Sequence, residues 1–123
     1  MLVYHGTYNK PNESIKPKFV SPSFKFAQWF GSCAVEEGEP FWVVEFRLKH
    51  PNAIVDVDTR SRENITNVHS SWSELEKNEG LLKLYRIYGN KGVWMTENKE
   101  PTILLFEPEN SLEFIGIEKL ISK

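Results

Sequence analysis

The sequence predicts a single α+β domain of 123 residues, and three observations carry that reading. Apolar runs with β-branched and aromatic residues recur along the chain, broken by proline, glycine and asparagine. Two other segments instead repeat apolar residues at spacings of three and four. Strand-like and helix-like segments do not alternate regularly, which sets the chain apart from a parallel doubly wound sheet.

Leu2–His5 reads as a short first strand. Residues 8–18 form a loop marked by Pro11 and Pro17, and Phe19–Ser21 is a brief extended piece. Ser21-Pro22-Ser23 opens a helix with Ser21 or Ser23 as its cap; Ala27, Phe30 and Cys33/Ala34 supply one apolar face. Phe41–Leu48 is the clearest strand: Trp42, Val44, Phe46 and Leu48 share a face, opposite Glu45 and Arg47. His50-Pro51-Asn52 turns into a second β run, Ala53–Val57. After a polar, irregular stretch over 58–70, Ser71-Trp72-Ser73-Glu74 has the capping-box pattern. It starts a second helix that runs through Leu81, Leu84, Tyr85 and Tyr88 to Gly89 and Asn90. Gly92–Met95, Thr102–Phe106 and Leu112–Ile117 read as closing strands, the last two separated by Glu107-Pro108-Glu109-Asn110.

Composition narrows the function classes. A formal charge of −2 argues against a dedicated nucleic-acid-binding protein, which is usually strongly basic. The first 35 residues are nonetheless lysine-rich (Lys10, Lys16, Lys18, Lys25), a bias that fits a solvated surface first and a phosphate-bearing ligand second. The lone Cys33 permits no internal disulfide and no cysteine-based zinc site. Leu2-Val3-Tyr4 is too short for the apolar part of a signal peptide, and no run reaches membrane-spanning length. The expected location is the cytoplasm, with no membrane partner. Glycine-rich dinucleotide fingerprints, phosphate loops and HExxH are all missing, and His5, His50 and His69 lie far apart.

The remaining chemistry lies in Tyr4-His5-Gly6-Thr7, in Phe19-Val20-Ser21 with the aromatic helix behind it, and in Glu97 and Glu100 ahead of the strand at 102–106. An imidazole, a residue without a side chain and a hydroxyl at a strand end present donors and acceptors at close range, and the rings supply stacking walls.

This order resembles the ADP-ribosyltransferase superfamily, in particular its small domains with a His-Tyr-Glu type triad found in phage and bacterial polymorphic proteins. Tyr4-His5-Gly6-Thr7 is similar to the family's first motif, and Phe19-Val20-Ser21 with Ala27 and Trp29-Phe30 to its second. Glu39–Asp56, with His50-Pro51-Asn52 at its turn, is similar to the family's strand, turn and strand. Gly89–Pro108 is similar to its last third, a glycine-valine step, a glutamate, and a strand ending Phe-x-Pro. Two departures stand out. Phe19 takes the place of the triad tyrosine, and the family's glutamate falls at or near Thr102, whereas this chain offers Glu100 two residues earlier and Glu97 further back. Pro101 marks a place where a bulge would bring Glu100 into position.

The resemblance implies a compact split β-sheet core with two main helices, and NAD as substrate without a metal. It implies transfer of ADP-ribose, with release of nicotinamide, to a protein or nucleic-acid acceptor, and an antitoxin or other partner protein. Glu100 would stabilise the oxocarbenium-like transition state, with Glu97 as second candidate. His5 would bind a ribose hydroxyl, Gly6 the nicotinamide amide through its backbone, and Phe19 and Phe30 (or Trp29) the ring. Ser21 and Thr7 complete the binding set, and Lys16, Lys18 or Lys25 would meet the pyrophosphate. The arginine-specific Glu-x-Glu pattern is absent: Glu97-Asn98-Lys99-Glu100 has the wrong spacing. Two rivals are an inactive module of this fold that binds NAD, ADP-ribose or a partner, and an RNA 2′-phosphotransferase, against which Phe19 and Glu100 speak.

Overall fold

In the computed structural model, residues 1–55, 91–97 and 100–123 are described. The expected second helix over 71–88 lies outside them. The elements in order are β1 (Leu2–Thr7), β2 (Phe19–Val20), α1 (Phe24–Ser32), β3 (Pro40–Leu48), a 3-10 turn (Pro51–Ala53) and β4 (Ile54–Val55). Then come β5 (Gly92–Glu97), β6 (Glu100–Leu105), the single helical turn α2 (Pro108–Ser111) and β7 (Leu112–Ile121). This is a small single-domain α+β protein.

Two sheets build it, in the orders β1-β3-β7 and β2-β6-β5-β4. All pairs are antiparallel except β4 with β5. The sheets meet at one rung: the Tyr4 N–H donates to the Ser21 carbonyl at 2.7 Å, and the Ser21 N–H to the Tyr4 carbonyl at 2.9 Å. Between the sheets lies a core of Val3, Val20, Val44, Phe46, Leu48, Ile54, Ile103, Leu105 and Leu112, which period-two alternation aims inward from both sides.

On the predicted face of β3, Val44, Phe46 and Leu48 are buried and Trp42 half-buried. The first half of the other face is buried too, Phe41 and Val43 being only 2% exposed each, while Glu45 is half-buried and Arg47 exposed. Helix α1 covers that second face. Ser23, not Ser21, caps it, its Oγ accepting the Phe26 N–H at 3.1 Å. The helix sits directly on β1 because two glycines face each other. A β-carbon on Gly6 would meet the Ala27 carbonyl oxygen at 1.9 Å, and one on Gly31 would lie 3.2 Å from the Thr7 nitrogen.

Strand bounds differ from expectation where tertiary pairing extends them. β6 begins at Glu100, and its register with β5 is regular through Thr96–Pro101 and Glu97–Glu100. The expected bulge at Pro101 is therefore absent; β2 has already ended there, so proline interrupts no ladder on that side. The irregularity falls elsewhere, at Glu45–Phe46 against Gly116 and Phe114, which leaves Ile115 as the extra residue of β7. β7 also runs to Ile121 because β3 pairs with it along its whole length.

Candidate functional site

The hollow that matters opens where the two sheets part. Tyr4 points its N–H and C=O at Ser21, so antiparallel alternation turns those of Gly6 toward the same edge, away from β3. In the register of the Tyr4–Ser21 bridge, Gly6 falls opposite Phe19, but that rung is not made. His5 reaches across instead, with Nδ1 2.8 Å from the Phe19 carbonyl oxygen. The unpaired edge of Gly6 thus faces a half-open hollow with about 390 Å³ of space, open solvent at its entrance included.

Its lining combines β1 (Tyr4, His5, Gly6), the strand end around β2 (Phe19, Val20, Ser21), α1 (Phe26, Ala27, Phe30) and Thr102 of β6. Among the described residues, no charged side chain lines it. Phe26 and Phe30 stand one helical turn apart with ring centroids 6.3 Å from each other, and they form a tilted aromatic wall. Phe30 is 48% exposed, which leaves much of its face uncovered.

The chemistry of His5 follows from its partner. A carbonyl oxygen only accepts, so Nδ1 carries the proton and Nε2 is the acceptor. Burial lowers the His5 pKa below its ordinary 6.5, partly opposed by the hydrogen bond to Phe19, and so favours the neutral ring. Thr102 is 2% exposed, and its Oγ1 has no hydrogen-bond partner. A buried hydroxyl without a partner is costly, and here it borders a cavity that a ligand can enter.

The residues expected from sequence divide accordingly. His5, Gly6, Phe19, Ser21 and Phe30 come together at the hollow. Ser21 contributes shape more than chemistry: its Oγ donates to the Pro101 carbonyl at 2.7 Å and accepts the Ser23 N–H at 3.0 Å. Thr7 is not in the lining; its hydroxyl closes a local turn with Asn9. Trp29 turns to a separate groove, and Lys25 goes with it. Lys16 donates to the Leu112 carbonyl at 3.4 Å, and none of Lys16, Lys18 and Lys25 lines the hollow.

Glu100, half-buried, stands outside the lining at the start of β6. Alternation puts it on the same face as Thr102, about 7 Å further along the strand. The Glu97 backbone lies opposite Glu100. Two lining residues were not foreseen. Phe26 was legible as the partner of Phe30 at four residues' spacing, whereas Thr102 carried no signal beyond standing where the resemblance places an acid.

Among the described residues no group of three or more His, Cys, Asp or Glu is placed to hold a metal, and no helix is long and apolar enough to cross a membrane. No protein-family model, curated protein or solved structure matches this chain.

Proposed function

We propose that the hollow takes the nicotinamide end of NAD and that the protein transfers ADP-ribose from it to a macromolecular acceptor. The observation that carries this reading is the parting of β1 from β2 just past the Tyr4–Ser21 rung. It leaves the donor and acceptor of Gly6 side by side in an uncharged, ring-walled space. A planar aromatic carboxamide has the matching acceptor and donor, and its ring meets Phe19, Phe26 and Phe30.

In the reaction, the bond between the nicotinamide nitrogen and ribose C1′ breaks, and its electron pair leaves with nicotinamide. The acceptor's nucleophile then bonds to C1′ and gives up its proton to solvent or a base. Positive charge develops on the sugar on the way. His5 Nε2 accepts a hydrogen bond from a ribose hydroxyl. Glu100 supplies the compensating negative charge from the mouth of the hollow. A split-sheet fold of the ADP-ribosyltransferase kind and a cytoplasmic setting, where NAD is abundant, belong to the same proposal. So does an antitoxin-like protein partner.

A second reading, a module that binds NAD or ADP-ribose without cleaving it, is favoured by one observation: the β6 residue lining the hollow is Thr102, not an acid. Incubating the protein with NAD labelled in both halves, with and without a whole-cell extract, separates the two. Transfer predicts free nicotinamide and label in the protein or nucleic-acid fraction. Binding of NAD with no nicotinamide released, acceptors present, leaves the second reading.

A further inference from the structure

The other face of α1 carries a distinct feature. The helix packs mainly over β1 and β3, and a trench with about 1100 Å³ of open space runs between α1 and the end of β7. Trp29 and Ile121 supply most of its exposed apolar surface, with Leu120 half-buried and the buried Phe41 at its floor. Lys25, Gln28, Trp29 and Ser32 line it from the helix, at the spacings of three and four that share one helical face. Lys119, Ile121, Ser122 and Lys123 line it from the strand end. Among the described residues, three lysines and no acid take part in this lining, in a chain whose net charge is −2. Glu118 and Glu39 are exposed nearby but do not line it. Trp29 is 49% exposed, with its ring centroid 5.8 Å from that of Phe26, so part of the indole stays open to the trench.

We infer that this trench binds single-stranded nucleic acid, with a base stacked on Trp29 and the phosphate backbone tracked by Lys25, Lys119 and Lys123. Apolar surface, one open aromatic face and cations without anions are the combination that strand-tracking grooves use. A duplex keeps its bases stacked inside and cannot offer one to Trp29. Trp29 and Phe30 are consecutive, so the trench and the ring-walled hollow flank the same helix turn. On the reading of the hollow as an NAD site, the inference names the acceptor class: a single strand held beside the sugar to be transferred. The net charge does not oppose this, because a transferred-to strand needs only a local track. The lysines come from positions nearly a hundred residues apart, so no basic run marks the site in the sequence.

Fluorescence anisotropy with a labelled thymidine decamer, with no NAD present, tests the trench independently of the hollow. Three phosphate contacts predict binding roughly 20-fold weaker at 200 mM than at 50 mM salt. Trp29→Ala should weaken binding about tenfold with an unchanged salt dependence, and Trp29→Phe should restore most of it. Lys25→Glu combined with Lys119→Glu should flatten the salt dependence, while Lys10→Glu, outside the trench, should not. All these side chains are exposed, and matching circular dichroism confirms intact folds. Equal affinity for a duplex or for heparin, no effect of Trp29→Ala, or no binding of the decamer overturns the inference. The nicotinamide-release assay stands or falls separately, so a chain that binds the strand but spares NAD loses only the enzymatic reading.

Discussion

The imidazole of His5 is tied to the Phe19 carbonyl across the gap where β1 and β2 separate, Nδ1 to oxygen at 2.8 Å. That one bond fixes the tautomer, orients the ring and spans the mouth of the hollow. Burial opposes a second proton on the ring.

A pH dependence follows. The folded-state pKa of His5 is lowered from 6.5, so below that pH the unfolded chain takes up a proton that the folded chain resists. The stability contributed by the neutral ring is complete above pH 6.5 and is lost as the pH falls through the folded-state value. Urea midpoints should drop between pH 7 and pH 5, and His5→Gln should flatten that slope. NAD affinity should fall over the same range, because a protonated Nε2 can no longer accept.

Thr102 separates stability from binding. Thr102→Val keeps the shape and removes a hydroxyl that has no partner in the unliganded protein. Stability should hold or rise, by up to ~1 kcal/mol, while affinity for nicotinamide or NAD falls about fivefold, the worth of one hydrogen bond. Thr102→Ser should bind like the parent. Calorimetry with both ligands checks this, and equal affinity of the valine variant would remove Thr102 from the site.

Gly6 is a packing residue as well as a ligand-facing one. Gly6→Ala would drive a methyl into the Ala27 carbonyl at 1.9 Å, a backbone atom that cannot swing aside. A loss of about 2–4 kcal/mol in urea unfolding is expected. Gly31→Ala should cost less, because the atom nearest its methyl, Phe41 Cδ2 at 2.9 Å, belongs to a side chain that can turn.

Glu100→Gln tests the proposed carboxylate role. If Glu100 faces the developing cation, nicotinamide release should fall at least ~100-fold with little change in NAD affinity. Stopped-time assays of release beside equilibrium binding distinguish this from a binding defect. An unchanged release rate would pass the role to another group.

Much of the fold was legible because it rests on local pattern. The runs at Leu2–His5, Phe41–Leu48 and Thr102–Phe106 became strands, the last starting earlier at Glu100 and stopping at Leu105, and Ser23 capped the helix that followed it. What escaped was set by contacts distant in sequence. The buried half of β3's second face exists only because α1 lies over it, and two glycines let the helix come that close. Ser21 looked like a cap or a ligand contact, yet its hydroxyl went to the Pro101 carbonyl on β6. Thr7 looked like part of the motif, but it sits beyond the point where the strands part. Pairing of β2 with β6 brought Thr102 to the hollow, eighty-one residues on from Ser21, and no spacing within either segment announces that meeting.

Among the described residues, one stitch of main chain, Tyr4 to Ser21, joins the two sheets. Anything lodged just past it and gripping both lips becomes a second stitch, turning a pivot into a clamp. The amide protons of those two residues should then exchange with deuterium more slowly when nicotinamide is added, a change that mass spectrometry of the 1–24 peptide can read without any turnover.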